Sequence, residues 1–340
     1  MILTVTLNTA LDVTYRVPRL LPHASHRVTA VTERAGGKGI NVARVLAALG
    51  HEVTATGFAG GPVGAVVRGL LALSPGVVDA LVPCAGTTRR TVAVTDDASG
   101  DTTQFNEPGP PITPAEWSQF LARYGELVRT ARAVALCGSL PPGVPVGAYA
   151  VLVRTARAAG VPVLLDTSGE ALRRGVAARP EIIKPNAAEL AELTGSRDPH
   201  PATRDARRRG AHAVVTSLGP DGLLAATPEG TWQAAPPRKL SGNPTGAGDS
   251  AVAGLLSALA EGLDWPARLS RAVALSAATV LAPVAGEFDP VLYEALRLGV
   301  SVTAGNWELT VRQRAAGAPS LTSRRMCEHG WERFKINQFN

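Results

Sequence analysis

Cysteine is scarce in this chain. Three occur in 340 residues, Cys84, Cys137 and Cys327. An odd number at wide spacing builds neither a disulfide framework nor a zinc site, so a reducing cytoplasm is the expected compartment. Aromatic residues make up only 4%; Ala, Val, Leu and Gly carry the apolar content, which suits helices packed closely on buried strands. No window comes near 18 unbroken apolar residues, so no membrane span is expected. Met1-Ile-Leu-Thr-Val-Thr-Leu7 lacks the basic start of a signal peptide and alternates like a strand. The six histidines are scattered, and no zinc is expected from them. Charge of one sign is also modest. Of the formal +6, half comes from the last forty residues, with six Lys or Arg against three Asp or Glu. Elsewhere no basic run exceeds Arg207-Arg208-Arg209, and three in a row on a polar helix read as a solvated face rather than a nucleic-acid contact. A mildly basic body suits an enzyme whose substrates are anions.

What is present is an alternation of short apolar runs with helical periodicity, the pattern of a parallel sheet with crossover helices. Ile2–Leu7, Val53–Phe58, Ala133–Cys137, Val161–Leu165, Glu181–Lys184, Ala213–Ser217 and Leu223–Ala226 read as strands. Val42, Val45, Leu46 and Leu49 mark a helix from Gly39 to Gly50. Tyr149, Leu152, Val153 and Ala156 mark another, and Val252, Leu255, Leu256 and Leu259 one that begins near Gly246. Asp12–Thr32 and Thr87–Phe105 break the rhythm. Rich in Thr, Val and Arg, they alternate like exposed strands and predict a small β layer, a lid beside the main sheet. After about Leu298 the pattern stops. Residues 1–298 are therefore expected to form the domain, and 299–340 a disordered or foreign extension.

Two glycine clusters carry the chemistry. In Asn243-Pro-Thr-Gly-Ala-Gly-Asp-Ser250 two glycines lead directly into a helix, whose first amides have no intrahelical partner and lie at the positive end of its dipole. Such a tip accepts a phosphate or a phosphoryl group in transfer. Asp249 sits among those amides, either as a helix cap or as a base. The stretch also fits the looser Gly-x-Gly-x-x-Ala dinucleotide pattern, but prolines 236, 237 and 244 stand where that pattern needs a strand. Ala35-Gly-Gly-Lys-Gly-Ile-Asn41 opens the other helix; its small residues let a substrate approach the backbone, with Lys38 and Asn41 in reach, though a tight loop with a surface lysine reads equally well. Walker A is absent, because Gly37-Lys38 is followed by Gly39.

Together these clusters resemble the two signatures of the PfkB, ribokinase-like family of carbohydrate kinases. Further matches fall in the right order: Thr6-Leu-Asn-Thr-Ala-Leu-Asp12, Phe105-Asn-Glu-Pro-Gly109, Gly138-Ser-Leu-Pro-Pro-Gly143, Asp166-Thr-Ser-Gly-Glu-Ala-Leu172, Lys184-Pro-Asn-Ala-Ala-Glu189 and Ser217-Leu-Gly-Pro-Asp-Gly222. The resemblance spans about residues 1–298. Its Gly-Gly-Lys-Gly-Ile-Asn and Asn-Glu-Pro-Gly forms are most similar to the branch of 1-phosphofructokinases and tagatose-6-phosphate kinases.

The resemblance implies an α/β three-layer sandwich, with a central mostly parallel sheet and a small β-sheet lid. It implies ATP-dependent phosphoryl transfer to a ketohexose phosphate, fructose 1-phosphate before tagatose 6-phosphate or fructose 6-phosphate. A non-catalytic sugar-phosphate sensor is disfavoured, since Asp249 and its glycines are retained. Asp249 matches the catalytic base and the Gly246, Ala247 and Gly248 amides the anion hole. Asp12, Gly37 and Asn41 match contacts to sugar hydroxyls; Arg89, with Lys38 and Ser139, matches contacts to the acceptor's phosphate. Ser139 can equally be a turn residue before Pro141, and Asp12 a turn carboxylate. Lys184, Asn186, Ser217, Gly219, Gly222 and Thr245 match nucleotide positions, Gly222 doubling as a turn residue. Asn186 and Glu189 match an Asn-x-x-Glu pair that organises hydrated Mg²⁺, or simply start a solvated helix. Ala272–Leu281 is expected to line the adenine pocket. Arg90 and Thr91 depart from the family, which usually has an apolar residue and Asn there. Strand alternation sends Arg89 and Arg90 to opposite faces, so one of them points into the cleft. His26 matches a possible polar contact on the lid, with a surface position the plainer expectation. No nucleic acid or membrane partner is implied; the exposed β layer itself suggests a homodimer through the lid.

Overall fold

The computed structural model describes residues 1–240, 242–282 and 287–305. The chain opens with β1 (Ile2–Thr6) and leaves the main sheet for β2 (Ala10–Val17) and β3 (Ala30–Gly36). It returns through α1 (Lys38–Ala48), β4 (Val53–Ala59), α2 (Gly61–Ala72), β5 (Val77–Asp79) and β6 (Val82–Pro83). A second excursion supplies β7 (Arg89–Asp96) and β8 (Thr102–Asn106). Helices and strands then alternate: α3 (Pro114–Val128), β9 (Ala133–Cys137), α4 (Ala148–Ala158), β10 (Val163–Asp166), α5 (Gly169–Ala177), β11 (Ile182–Ile183), α6 (Ala187–Thr194), α7 (Pro199–Arg208) and β12 (Ala213–Ser217). The hairpin β13 (Leu223–Thr227) and β14 (Gly230–Ala235), helices α8 (Ala247–Ala260), α9 (Trp265–Leu281) and α10 (Pro290–Gly299), and β15 (Ser301–Gly305) complete the described chain.

The large sheet has the order β15-β14-β13-β12-β11-β10-β9-β1-β4-β5, with β6 beside β4. From β12 to β5 the pairings are parallel; β13, β14 and β15 extend it antiparallel. Covered on both faces, β9 reads as an unbroken apolar run, and β1 departs from one only at the buried Thr4 and Thr6. Successive side chains still part company: Ile2 and Ala135 join the core under α1, α2, α8, α9 and α10, while Leu3, Val5 and Leu136 join the one under α3 to α7. The result is three layers with the sheet in the middle, as the resemblance implies. Among the described residues no helix is long and apolar enough to cross a membrane.

The two stretches that alternate in sequence form the second sheet, in the order β3-β2-β7-β8. Its centre is the parallel β2–β7 pair, in which Asp12 lies opposite Thr91. Residues 18–29, inside the expected strand segment, are a connection with no strand. β15 begins at Ser301, within the stretch expected as an extension, and pairs its five residues with β14; the rest of that stretch lies outside the described residues.

Candidate active site

The sheet order reverses at β1, which lies between β4 and β9, and the carboxyl ends of strands at such a switch point form a natural crevice. Asn8, Ser139, Asp166, Lys184 and Ser217 end or immediately follow β1, β9, β10, β11 and β12. The tip of α8 faces the same ends. Gly246 starts that helix at φ 81°, a left-handed conformation open to glycine, and no side chain caps it. Asp249 is therefore not a cap. It is buried, and its Oδ2 accepts a hydrogen bond from Asn41 Nδ2 at 2.8 Å. Burial lifts its pKa to about 6, an effect that Lys38, Asn41 and Lys184 oppose and Asp166 reinforces. Of the three amides expected in the anion hole, that of Ala247 donates to the Pro244 carbonyl at 3.1 Å.

One side of this tip is lined by α1 and the small sheet. Gly36 leaves room for the Asp12 carboxyl, since a Cβ at residue 36 would stand 2.1 Å from Asp12 Cγ. Burial raises the Asp12 pKa; Arg44, Arg89, the Thr91 hydroxyl and the Gly37 amide pull it back. Arg89 is half-buried beside it, donating to the Asn8 carbonyl at 3.1 Å and to Thr91 Oγ1 and the Glu107 carbonyl at 3.3 Å. Arg90 is exposed on the opposite face, as strand alternation requires. Asn8 Nδ2 donates to Ser139 Oγ and to the Pro108 carbonyl, both at 3.1 Å, and so ties the end of the lid to the turn after β9.

Between the two sides runs a line of alternating charge. Asp166 is buried at the end of β10; Lys38 Nζ lies 3.3 Å from its Oδ2 and Lys184 Nζ 3.4 Å from its Oδ1. Burial opposes ionisation of Asp166, but the two ammonium groups outweigh it and hold the carboxyl below its usual range. Asp166 in turn holds the Lys38 pKa above its ordinary value. Beyond Lys184 opens a cavity of about 1120 Å³ reaching Asn186, Ser217, Gly219 and Gly222 on one wall, Ala247 and Gly248 on another, and Val273, Ala277 and Val280 of α9 on a third. The wall from α9 is where an adenine pocket is expected, and it is mostly apolar, with Ser276 its one hydroxyl, as suits a purine. Thr245 adjoins it in the turn before α8, its amide bonded to Asn243 Oδ1 at 3.0 Å.

The chain's residues 4–291 match the model of the pfkB family carbohydrate kinases. It belongs to that family. It is an ATP-dependent carbohydrate kinase, and its similarity to kinases of sugar phosphates places it among them. It is 41% identical over 290 residues, 83% of this chain and 92% of the relative, to the 1-phosphofructokinase of Rhodobacter capsulatus. The crystal structure of phosphofructokinase-2 from Escherichia coli in complex with fructose-6-phosphate shares 32% identity and a TM-score of 0.79, covering 87% of this chain and 98% of that one. A possible 1-phosphofructokinase from Thermotoga maritima shares 27% identity and a TM-score of 0.82, covering 90% and 100%.

Within this kinase the motif residues come together with three qualifications. Asn186 and Glu189 form a reciprocal capping box at the start of α6, each backbone amide bonded to the other's side chain at 2.9 Å. His26 Nε2 accepts the Leu21 amide at 2.8 Å and so serves its own loop. Asn8, Arg44 and Asp166 were not singled out from sequence, although each holds a residue that was. Arg44 had a usable signal, as the only charged residue between Gly39 and Gly50.

Proposed function

We propose that this kinase transfers the γ-phosphoryl group of ATP to fructose 1-phosphate, giving fructose 1,6-bisphosphate. The observation that carries the proposal is the place of Asp249. It is a buried carboxylate with a pKa near 6, at a glycine-lined helix tip, with the nucleotide-sized cavity on one side and Asp12 and Arg89 on the other. The acceptor hydroxyl oxygen attacks the γ-phosphorus as its proton passes to Asp249. The bond from that phosphorus to the β,γ-bridging oxygen breaks, and ADP leaves. Such a transfer needs positioning and charge stabilisation more than covalent help. Amides of Gly246 and Gly248, with the dipole of α8, meet the moving phosphoryl group; Ala247 N–H must first give up its bond to Pro244 to join them. Lys38 and Lys184, braced by Asp166, stand on either side.

Asp12, Asn41 and the Gly37 backbone hold acceptor hydroxyls, and Arg89, with Lys38 and Ser139, takes the phosphate the acceptor already carries. Burial lowers the Arg89 pKa against the attraction of Asp12 and Glu107, so an added anion improves the guanidinium's surroundings. Lys184, Asn186, Ser217, Gly219, Gly222 and Thr245 line the path of the nucleotide phosphates. Among the described residues no three His, Cys, Asp or Glu cluster as metal ligands, and the capping box engages Oε2 of Glu189, leaving Oε1 of that carboxylate. That donor set fits a hydrated Mg²⁺ held by Asn186 and Glu189 through water, where it would neutralise charge on the nucleotide phosphates.

The lid is the proposed dimer contact. Its face away from Asp12 carries Tyr15, Val31, Val92, Val94 and Phe105. Fructose 6-phosphate is the second acceptor to consider, because the Escherichia coli neighbour is described with it. Either hexose presents one free primary hydroxyl and one distant phosphate. ADP release across fructose 1-phosphate, fructose 6-phosphate and tagatose 6-phosphate, with and without Mg²⁺, decides between them. The expected result is the highest kcat/KM with fructose 1-phosphate, and a product with phosphates on carbons 1 and 6 by NMR. A higher kcat/KM for either other sugar overturns the assignment.

A further inference from the structure

Arg44 stands three residues after Asn41 on α1 and has no place in the chemistry so far. Its two terminal nitrogens point at different partners: NH2 donates to Asn41 Oδ1 at 2.6 Å, and NH1 donates to the carbonyl of Ala35. Asn41 Nδ2 in turn donates to Asp249 Oδ2 at 2.8 Å. A primary amide can offer either a donor or an acceptor end, and only the donor end suits an ionised carboxylate. A guanidinium carries donors alone, so placing it on the amide oxygen removes that choice. Oδ2 of Asp249 is then committed to Asn41, and Oδ1 is the oxygen left to take a proton.

We propose that Arg44 is a positioning residue for phosphoryl transfer: by clamping the Asn41 amide against the Ala35 carbonyl, it fixes which carboxylate oxygen of Asp249 receives the acceptor's proton. The proposal rests on the assignment of Asp249 as base.

Two further observations support it. First, the arginine is not placed as a purely stabilising group would be. Burial disfavours its charge, Arg34 lies close enough to repel it, and its Nε is buried without a hydrogen-bond partner among the described residues. The opposing attraction comes from Asp12, Glu287 and Asp249, two of which are carboxylates of the acceptor side. Second, Arg44 reaches a cavity of about 420 Å³ behind α1, bounded by Arg34, Ala47, Leu70, Ser74 and Glu287. A small cation can therefore reach the space the side chain would vacate. Asp249 itself is faced by Asn41 and Lys38 from α1, by Asp166 from β10 and by Lys184 after β11. A shift caused by loss of Arg44 is thus read against an otherwise unchanged set.

The test uses the full chain with ATP and fructose 1-phosphate. Arg44→Met is expected to lower kcat by about 10²-fold, the scale set by misplacing a reacting group, with KM for ATP within about twofold of the parent. The acid limb of its kcat–pH profile is expected to move to higher pH, because the carboxylate loses both a fixed donor and a nearby positive charge. Guanidinium chloride at non-denaturing concentration is expected to restore part of the kcat of Arg44→Ala, where equal sodium chloride does not. Arg44→Lys keeps the charge but cannot bridge Asn41 and Ala35 together, and it carries the same readouts if the neutral variants are insoluble. Parent-like kcat overturns the proposal, and so does a loss of kcat with neither movement of the limb nor rescue. Asp249→Asn is assayed alongside. If it turns over normally, the assignment of the base fails and this inference with it; if it is inactive while the Arg44 variants behave as the parent, this inference alone fails.

Discussion

A base that must take a proton at neutral pH has to be ionised before the alcohol arrives, and burial works against Asp249, the proposed base, in this respect. Its pKa of about 6 places the change between active and inactive forms just below neutrality. Turnover is therefore expected to fall tenfold per unit as pH drops below about 6, in a plot of log kcat against pH. The same shift affects stability with the opposite sense. In the unfolded chain the carboxyl returns to 3.8, so between 3.8 and about 6 the folded state binds more protons. That stabilisation is complete below the unfolded value and is lost as pH rises through the folded one. At neutral pH the ionised group costs about 3 kcal/mol. Asp249→Asn is thus expected to lower turnover by about 10²–10⁴-fold while raising Tm at neutral pH and leaving it nearly unchanged below pH ~4. A lower Tm at neutral pH would instead mark Asp249 as a structural group. Arg89 makes a separate prediction. Its hydrogen bonds go to neutral oxygens, the Asn8 and Glu107 carbonyls and the Thr91 hydroxyl, so Arg89→Ala is expected to raise KM for the sugar phosphate at least tenfold more than KM for ATP. Equal effects on both would remove it from the acceptor side.

The placement of these residues depends on how α8 and α9 meet. Gly254 faces Ala272 so closely that a Cβ there would lie 2.8 Å from Ala272 Cα and 3.0 Å from its nitrogen. Backbone atoms cannot swing aside, so a larger side chain must push the helices apart, and α8 carries Asp249. Alanine already puts that Cβ against backbone, so the helix propensity it gains, about 1 kcal/mol, is set against an overpacking cost of similar or larger size. Valine adds two methyl groups and little propensity, so Gly254→Val is expected to lose about 2–3 kcal/mol in urea unfolding, and kcat with it. Parent-like stability would show that the interface can spread. Elements like these were the legible part of the sequence. Short runs rich in Val, Leu, Ile and Ala marked β1, β4, β9 and β12, strands covered on both faces and interrupted by buried threonines such as Thr4, Thr56 and Thr216, and the stripe of Val252, Leu255 and Leu256 marked α8. The lid was legible from its alternation, but not the break at residues 18–29, since no periodicity separates an edge strand from an exposed connection. β15 gave no signal, as its pairing with β14 comes from a partner some seventy residues earlier. In the candidate site, the glycine-rich motifs stood out in the sequence and most of the side chains that hold them did not. Asp166 acts through contacts between distant segments, with Lys38 across 128 residues, and no local pattern encodes that; Arg44 bonds to Asn41 and Ala35, close by in sequence, and stood out as the lone charge between Gly39 and Gly50.

At the scale of the whole molecule the lid is the unbalanced part. Its polar face, with Asp12 and Thr91, covers the proposed acceptor side, whereas the other face leaves Val31 58% and Phe105 60% exposed. Large apolar side chains grouped on one face of a small sheet mark a contact surface more often than a solvated one. Two lids meeting by a twofold axis would bury the same patch on both chains, so a substitution there counts twice. Leaving one Phe in water rather than burying it is worth about 2 kcal/mol, which doubled weakens a dimer about 10³-fold. Phe105→Asp adds a charge to that loss and is expected to sediment as a monomer at micromolar concentration where the parent is a dimer. Phe105 lies opposite Val92 and next to Asn106, which pairs with Thr91. A monomer should therefore hold the roof of the proposed acceptor pocket less firmly, raising KM for the sugar phosphate while KM for ATP stays put. A parent-like sedimentation coefficient would assign the apolar face to something other than a second copy of this chain.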